Sequence, residues 1–303
     1  MSETTAKVPG AKPMWRRIVD FPLVALVISL GLLVATGAAF GWLMRRMPEY
    51  AGKDVTNLVE VLALIAALTL VYKLVIARIG DPPRDDLPFH LAPRHLAIGT
   101  LVAFVLFTAV VGIAALLGAY RIVGPGGWTD FLSILAMAGI SAGFVEELIF
   151  RGILFRWLED FGGSWFALAI TSALFGLAHI LNDNATWFSS LAIALEAGVM
   201  LGGAYMLTRS LWLAMGIHFG WNVTQGFIWD VPVSGQSVEG LVEAQLRGNE
   251  YLSGGAFGLE ASVIALVLAT GLGLYFVWLA IQRGELVRPW WVRRRLARQS
   301  AGE

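Results

Sequence analysis

Long apolar runs alternate with short polar breaks along almost the whole chain. Stretches long enough to cross a hydrocarbon core, about 20 residues each, fall at 20–44, 57–78, 96–119, 131–156, 165–182, 187–208, 211–231 and 259–281. Each predicts a transmembrane helix, because a segment in lipid must satisfy its backbone hydrogen bonds internally and a helix does so within itself. The pattern therefore predicts an all-α, polytopic membrane protein with about eight transmembrane helices. Asp81-Pro82-Pro83-Arg84-Asp85-Asp86 interrupts the series and predicts a polar linker, since proline cannot continue the second helix. Within 230–258, Val238, Leu241, Val242 and Leu246 recur at helical spacing and predict a short amphipathic helix on the membrane interface. The organisation that follows has three parts: an N-terminal tail, two peripheral spans and a linker over 1–95; a core over 96–231; and an outer loop, last span and basic tail over 232–303.

Composition agrees with this reading. Of 303 residues, 57% are hydrophobic and only 15% charged, against roughly a quarter charged in soluble domains. Net charge is zero, so nothing argues for nucleic acid, and the expected partners are the bilayer and a membrane-associated protein or peptide. The absence of cysteine removes disulfides, thiolate metal sites and a Cys nucleophile. The first apolar run is too long for a signal peptide and has no evident cleavage site, so it reads as a retained helix. An even number of spans puts both termini on one side. Lys12, Arg16 and Arg17, with Arg288, Arg293, Arg294, Arg295 and Arg298, place that side in the cytoplasm. Lys73, Arg78, Arg84, Arg94, Arg156 and Arg209 agree, and Arg45 and Arg46 oppose. The expected location is a bacterial inner membrane.

Polar side chains at membrane depth are costly unless they face the protein and find partners, so each is a functional candidate. In the fourth run, Glu147 and Arg151 stand one helical turn apart and can pair, while Glu146 points about a quarter turn away and is free to act elsewhere. His179 lies late in the fifth run, and His218 and Asn222 share a face in the seventh. His90 and His95 fall near the polar linker and read as surface residues. A single buried His or Asn is more often a packing hydrogen bond than a catalyst. A Glu, two His and an Asn from three helices supply a base, an imidazole partner and two donors, the parts that peptide hydrolysis requires. Gly139 with Gly143, Gly198 with Gly202, and Gly216 with Gly220 form small-xxx-small pairs suited to close helix approach. Glu196 is a further intramembrane charge, with a structural hydrogen bond as plausible as a role beside the site.

Glu146-Glu147-x-x-x-Arg151 followed by Gly152, Phe175-x-x-x-His179 and His218-x-x-x-Asn222 resemble the signature of the CAAX protease and bacteriocin-processing family (CPBP, or Abi), over roughly 130–230. The resemblance implies an eight-helix membrane endopeptidase similar to the Rce-type enzyme that trims the last three residues from prenylated CAAX proteins. It implies that Glu146 activates water with His179, that His218 and Asn222 stabilise the oxyanion, and that Glu147 and Arg151 hold the site. An older description of the family makes Glu146, His179 and His218 ligands of a divalent metal such as zinc. Spacing leaves glutamate and metal mechanisms both open, since there is no HExxH helix. The site is expected in a cavity between the fourth, fifth and seventh spans, open toward the cytoplasm, acting on a membrane-associated protein or peptide, lipidated or not. Straight helices would set His179 and His218 at different depths, which a tilted or broken fifth helix would resolve. The rival readings are a rhomboid-like serine protease using Ser141 of Gly139-Ile140-Ser141-Ala142-Gly143, a non-catalytic scaffold or immunity protein, and a proton-coupled transporter.

Overall fold

The structure, a computed structural model, describes residues 12–47 and 52–300. Seven described helices are long and apolar enough to cross a membrane: Pro22–Met44, Lys53–Arg78, Phe89–Leu116, Phe131–Gly162, Ser164–Leu181, Trp187–Thr208 and Val263–Gln282. These are spans 1 to 6 and span 8. Span 7 is the helix Leu211–Val223 with its continuation Thr224–Ile228, whose His218, Asn222 and Gln225 make it too polar to join that set. The chain is thus an all-α polytopic membrane protein.

Burial sorts the spans into an outer layer and an interior. Only 17% of the most apolar window of span 1 is buried, against 67% of that of span 6. Val34, Leu70, Leu101 and Val267 of the outer spans stay exposed, as lipid-facing side chains should. Lipid gives apolar helices little reason to associate, so close packing rests on small residues. Span 7 runs parallel to span 3. A Cβ on Gly216 would stand 2.6 Å from the Leu96 carbonyl oxygen, and one on Gly220 would stand 2.7 Å from Thr100 Cα. On its other flank Gly139 and Gly143 abut Phe219, while Gly198 and Gly202 abut Ser172 and Leu168 of span 5. All three glycine pairs therefore lie at helix contacts.

Span 4 runs to Gly162, beyond the expected end at 156, and this overhang is tied down by buried charge. Glu159 is fully buried and accepts from Arg209 at 2.6 Å and Ser164 at 2.6 Å. Asp86, expected in an open linker, is also fully buried, 2.9 Å from Arg84 Nε and 3.5 Å from Arg156. Its backbone carbonyl accepts the N–H of Leu211 at 2.8 Å. The linker thus folds into the bundle and caps span 7. That helix begins opposite Gly152, where a Cβ would meet the Leu211 side chain at 3.0 Å, about three turns short of the end of span 4. This deep start brings His218 level with His179. Span 5 needs no break: it is helical over Ser164–Ala178 and closes in a tight turn, His179–Leu181.

The amphipathic helix expected within 230–258 is not formed. Val242–Leu246 is a strand, β2, antiparallel to β1 (Tyr120–Pro125). A helix this short is marginal by itself, whereas the pairing satisfies the backbone of both segments. The Asp230 carboxylate fixes the register by accepting from the N–H groups of Gly240 and Ala244 at 2.9 and 2.8 Å. Span 8 likewise starts at Val263 and not at 259, because Ser262 caps its N-terminus by accepting from the Ala265 N–H. The helices Met14–Val19 and Trp290–Ser300, the linker and the overhang occupy one end of the bundle, joined by Arg16 to the Arg78 carbonyl at 2.5 Å and Arg293 to that of Asp160 at 2.7 Å. The hairpin, residues 182–186 and the loop after span 7 occupy the other.

Candidate active site

Glu146 and Glu147 end a short α-helical stretch, Ala142–Glu147, set between two π-helical segments, Ile134–Ser141 and Leu148–Phe155. Such wide turns are rare and concentrate at functional sites. Adjacent positions diverge by about 100°, so one carboxylate enters packed protein and the other enters a cavity. Glu147 is fully buried; its Oε1 accepts from Arg151 at 2.8 Å and from His218 Nδ1 at 2.9 Å. Arg151, equally buried, donates to the Ala197 and Gly198 carbonyls at 3.1 and 3.3 Å, where span 6 has its own π-helical segment. Its guanidinium covers the Phe175 ring at 4.6 Å. Arg151 thereby ties spans 4, 5 and 6 together, and Glu147 ties span 4 to span 7.

In front of this pair lies a cavity of about 410 Å³ whose lining includes Glu146, His179, His218 and Asn222. His179 Nδ1 is 2.8 Å from the Phe175 carbonyl. A carbonyl only accepts, so Nδ1 carries the hydrogen. Among the described residues its Nε2 makes no hydrogen bond. His218 presents Nε2 to the cavity, 4.0 Å from Glu146 Oε2, while Nδ1 is occupied by Glu147. Asn222 donates one amide hydrogen to the Ala138 carbonyl at 2.8 Å, leaving the other. Glu146 Oε2 has no hydrogen-bond partner among the described residues. The cavity opens between Asp130, Asn182 and residues 233–238, at the end away from the termini. This corrects the expectation of an opening on the terminal side: His179 closes span 5 at the far end, and the linker and overhang seal the near one.

Among the described residues no group of three or more Asp, Glu, His or Cys side chains is close enough to hold a metal ion. Glu146, His179 and His218 line one cavity but do not converge on a common point, so they do not fit a zinc site as arranged. Ser141 is half-buried and does not line the cavity, which leaves the rhomboid-like reading without a nucleophile in place. His90 is exposed and His95 half-buried. Glu196 is buried in span 6, and its Oε2 has no hydrogen-bond partner among the described residues. It faces a small space of about 30 Å³, lined also by His218, Trp221 and Glu260.

Glu260 and Gln225 join the wall of the site without a motif that marks them in the sequence. Burial pushes the Glu260 carboxyl up to about 7, against the opposing pull of the Ser234 N–H that it accepts. Gln225 donates to the Pro232 carbonyl at 2.5 Å. Both therefore hold the loop that walls the cavity. The signal for Gln225 was its place three residues after Asn222 and seven after His218, on the same helical face; Glu260 left no such signature.

Residues 127–224 match the family model for type II CAAX prenyl endopeptidases, Rce1-like. The match spans Glu146, Glu147, Arg151, His179, His218 and Asn222, and over spans 4 to 7 it supports the resemblance to the CPBP and Rce1-like family. No curated protein and no solved structure matches the chain.

Proposed function

We propose that this chain is an intramembrane endopeptidase that hydrolyses a peptide bond in a membrane-associated protein or peptide by glutamate-based catalysis. The observation that carries the reading is the division of labour between adjacent glutamates. Glu147 is sealed against Arg151 and His218, and Glu146 is left free in a cavity beside His179, His218 and Asn222. In this mechanism Glu146, with the free Nε2 of His179, accepts a proton from water as its oxygen attacks the scissile carbonyl carbon. The negative charge that develops on the carbonyl oxygen meets the remaining N–H of Asn222 and the Nε2–H of His218. Collapse breaks the C–N bond, and Glu146 passes its proton to the departing amine.

Donation from both nitrogens of His218 requires the imidazolium form. With it, two carboxylates, one guanidinium and one imidazolium close the local charge at zero, as a water-poor site demands. Glu147 and Arg151 act by holding His218 and Phe175, and through Phe175 the carbonyl that fixes the His179 ring. The decisive experiment compares cleavage of quenched fluorescent peptides, prenylated and unprenylated, by the detergent-purified chain, its Glu146→Gln variant and chelator-treated protein. Loss with Glu146→Gln alone supports the mechanism. Loss with chelator as well would replace it with a metal-dependent one, and cleavage by Glu146→Gln would remove it.

A further inference from the structure

The charges around the cavity bear on what can enter it. Its lining includes Asp130 and Glu146 with His179 and His218, and among the described residues no Lys or Arg lines it. Beside this lining stand two exposed acids, Asp183, bonded to Gln236, and Glu239, whose N–H is bonded to Asp130, and Asp230, Glu243 and Glu250 lie in the loops and hairpin of the same end. The bases of this end are Arg45, Arg46 and Lys53 at the first turn, and Arg121 and Arg247 on the hairpin; none lines the cavity. Arg247 is occupied by the Gln245 carboxamide. At the bottom His218, only 8% exposed, presents Nε2 without a hydrogen-bond partner among the described residues, 4.0 Å from Glu146 Oε2, so the acidic mouth leads to a donor that is free for a ligand.

A free carboxylate is bound by an Arg, a Lys or a nest of backbone N–H groups. Here it would meet Asp130 and Glu146, and the one cation facing it, the His218 imidazolium, is already balanced by Glu147 at 2.9 Å, so in a space of low dielectric the net field repels it. A peptide carrying Lys, Arg or a free N-terminus meets the opposite field. The terminal end has the reverse character, with Arg16, Arg17, Arg288, Arg293, Arg294, Arg295 and Arg298. By the bias of basic residues toward the cytoplasm, the cavity faces the other side of the membrane.

We propose that the substrate of this site is an extended peptide segment bearing positive charge, internal or N-terminal, that enters from the membrane face opposite the chain termini, and not a free C-terminal carboxylate. The proposal rests on the peptidase reading but can fail separately from it. The probes are quenched peptides of one core sequence flanked by Lys, Gln or Glu, each as free acid and as C-terminal amide. Cleavage by the wild-type chain is measured alongside binding of the same peptides to Asn222→Ala, which keeps the charge of the cavity.

The expected result is Lys over Glu by roughly tenfold in both assays, with the preference shrinking as salt is raised and amides processed at least as well as acids. Asp130→Asn and Asp183→Asn keep an acceptor for the Glu239 N–H and the Gln236 side chain, and should narrow the Lys-to-Glu ratio severalfold. Cleavage without Lys preference, or faster cleavage of free acids, would overturn the proposal and leave the peptidase reading intact. Selective Lys-peptide binding without cleavage would uphold the proposal and overturn that reading. Neither binding nor cleavage would overturn both.

Discussion

Replacing Arg151 by Leu tests the buried pair on which the site is built. Arg151 is fully buried and is the cationic partner of Glu147 at 2.8 Å; it also satisfies two carbonyls of span 6 and covers Phe175. Removing it strands the Glu147 carboxylate with His218 alone, and breaking a buried pair in this way costs about 3–5 kcal/mol. At about 2–3 °C per kcal/mol for a chain of this size, the thermal midpoint in detergent should fall by roughly 6–15 °C. Glu147→Leu added to Arg151→Leu removes the stranded charge as well and should return about 1–3 kcal/mol. Cleavage should not return with it, because His218 Nδ1 then has no carboxylate to orient the ring. The assay is the thermal midpoint of the two single variants and the double variant, with peptide cleavage measured on the folded fraction of each. An Arg151→Leu chain that melts with wild type would refute the energetics. A double variant that cleaves normally would refute the role given to Glu147.

Glu146→Gln, His179→Ala and Asn222→Ala should each abolish cleavage while the protein elutes as a folded monodisperse peak; unimpaired turnover by any of them removes that residue from the mechanism. Glu260 gives a pH dependence of stability. Burial raises its carboxyl from the ordinary 4.5 to about 7, so between those values the folded chain holds a proton that the unfolded chain has lost. Stability contributed by this group should therefore fall by about 3 kcal/mol as pH rises through that window. Glu260→Gln should flatten the change in thermal midpoint, and an unchanged slope would deny the assignment. Gly216→Val would press a side chain against the Leu96 carbonyl, and the forced separation of spans 3 and 7 should cost about 1–3 kcal/mol or more, read as a lower midpoint. The chain has no cysteine, so Ser237→Cys at the cavity mouth and Ser300→Cys at the terminal end can be labelled singly in oriented vesicles with an impermeant maleimide. The two should label from opposite faces, and labelling from the same face would refute the arrangement.

What could be read from the sequence is what depends on local chemistry. Apolar length placed the spans and most of their ends to within a few residues, the start of span 3 at Phe89 and the end of span 4 at Gly162 excepted, and the i,i+4 spacing of Glu147 and Arg151 anticipated their 2.8 Å contact. The separate fates of Glu146 and Glu147 followed from one step of helical rotation. The errors arose where distant segments meet. Asp86 reads as a solvated linker residue until Arg84 and Arg156 are seen around it. Val242 and Leu246 show a helical period that yields to a strand partner far earlier in the chain, with Tyr120 opposite Leu246 and Pro125 opposite Val242. The end of the bundle at which the cavity opens, away from the termini, is hidden from the sequence for the same reason. It depends on span 7 beginning at the level of Gly152 and on the folded linker behind it, and neither leaves a periodic trace.

The irregular backbone itself carries information about the site. Among the described residues four π-helical segments interrupt the spans: two flank Glu146 and Glu147, one holds Glu196, and one follows Asn222. In lipid each departure from regular helix exposes backbone groups that nothing outside can satisfy, so it is tolerated only within protein or against water. Here the freed carbonyls have partners: Ala138 accepts from Asn222, and Ala197 and Gly198 accept from Arg151. The same side chains that position the chemistry therefore also stabilise the distortions that open the cavity. Arg151→Leu should accordingly disturb the span 6 segment at Ala194–Gly198 before the distant spans 1 and 2, and hydrogen exchange resolved by segment would show that order. Uniform loss of protection across all spans would mean that Arg151 supports the fold as a whole and not the site in particular.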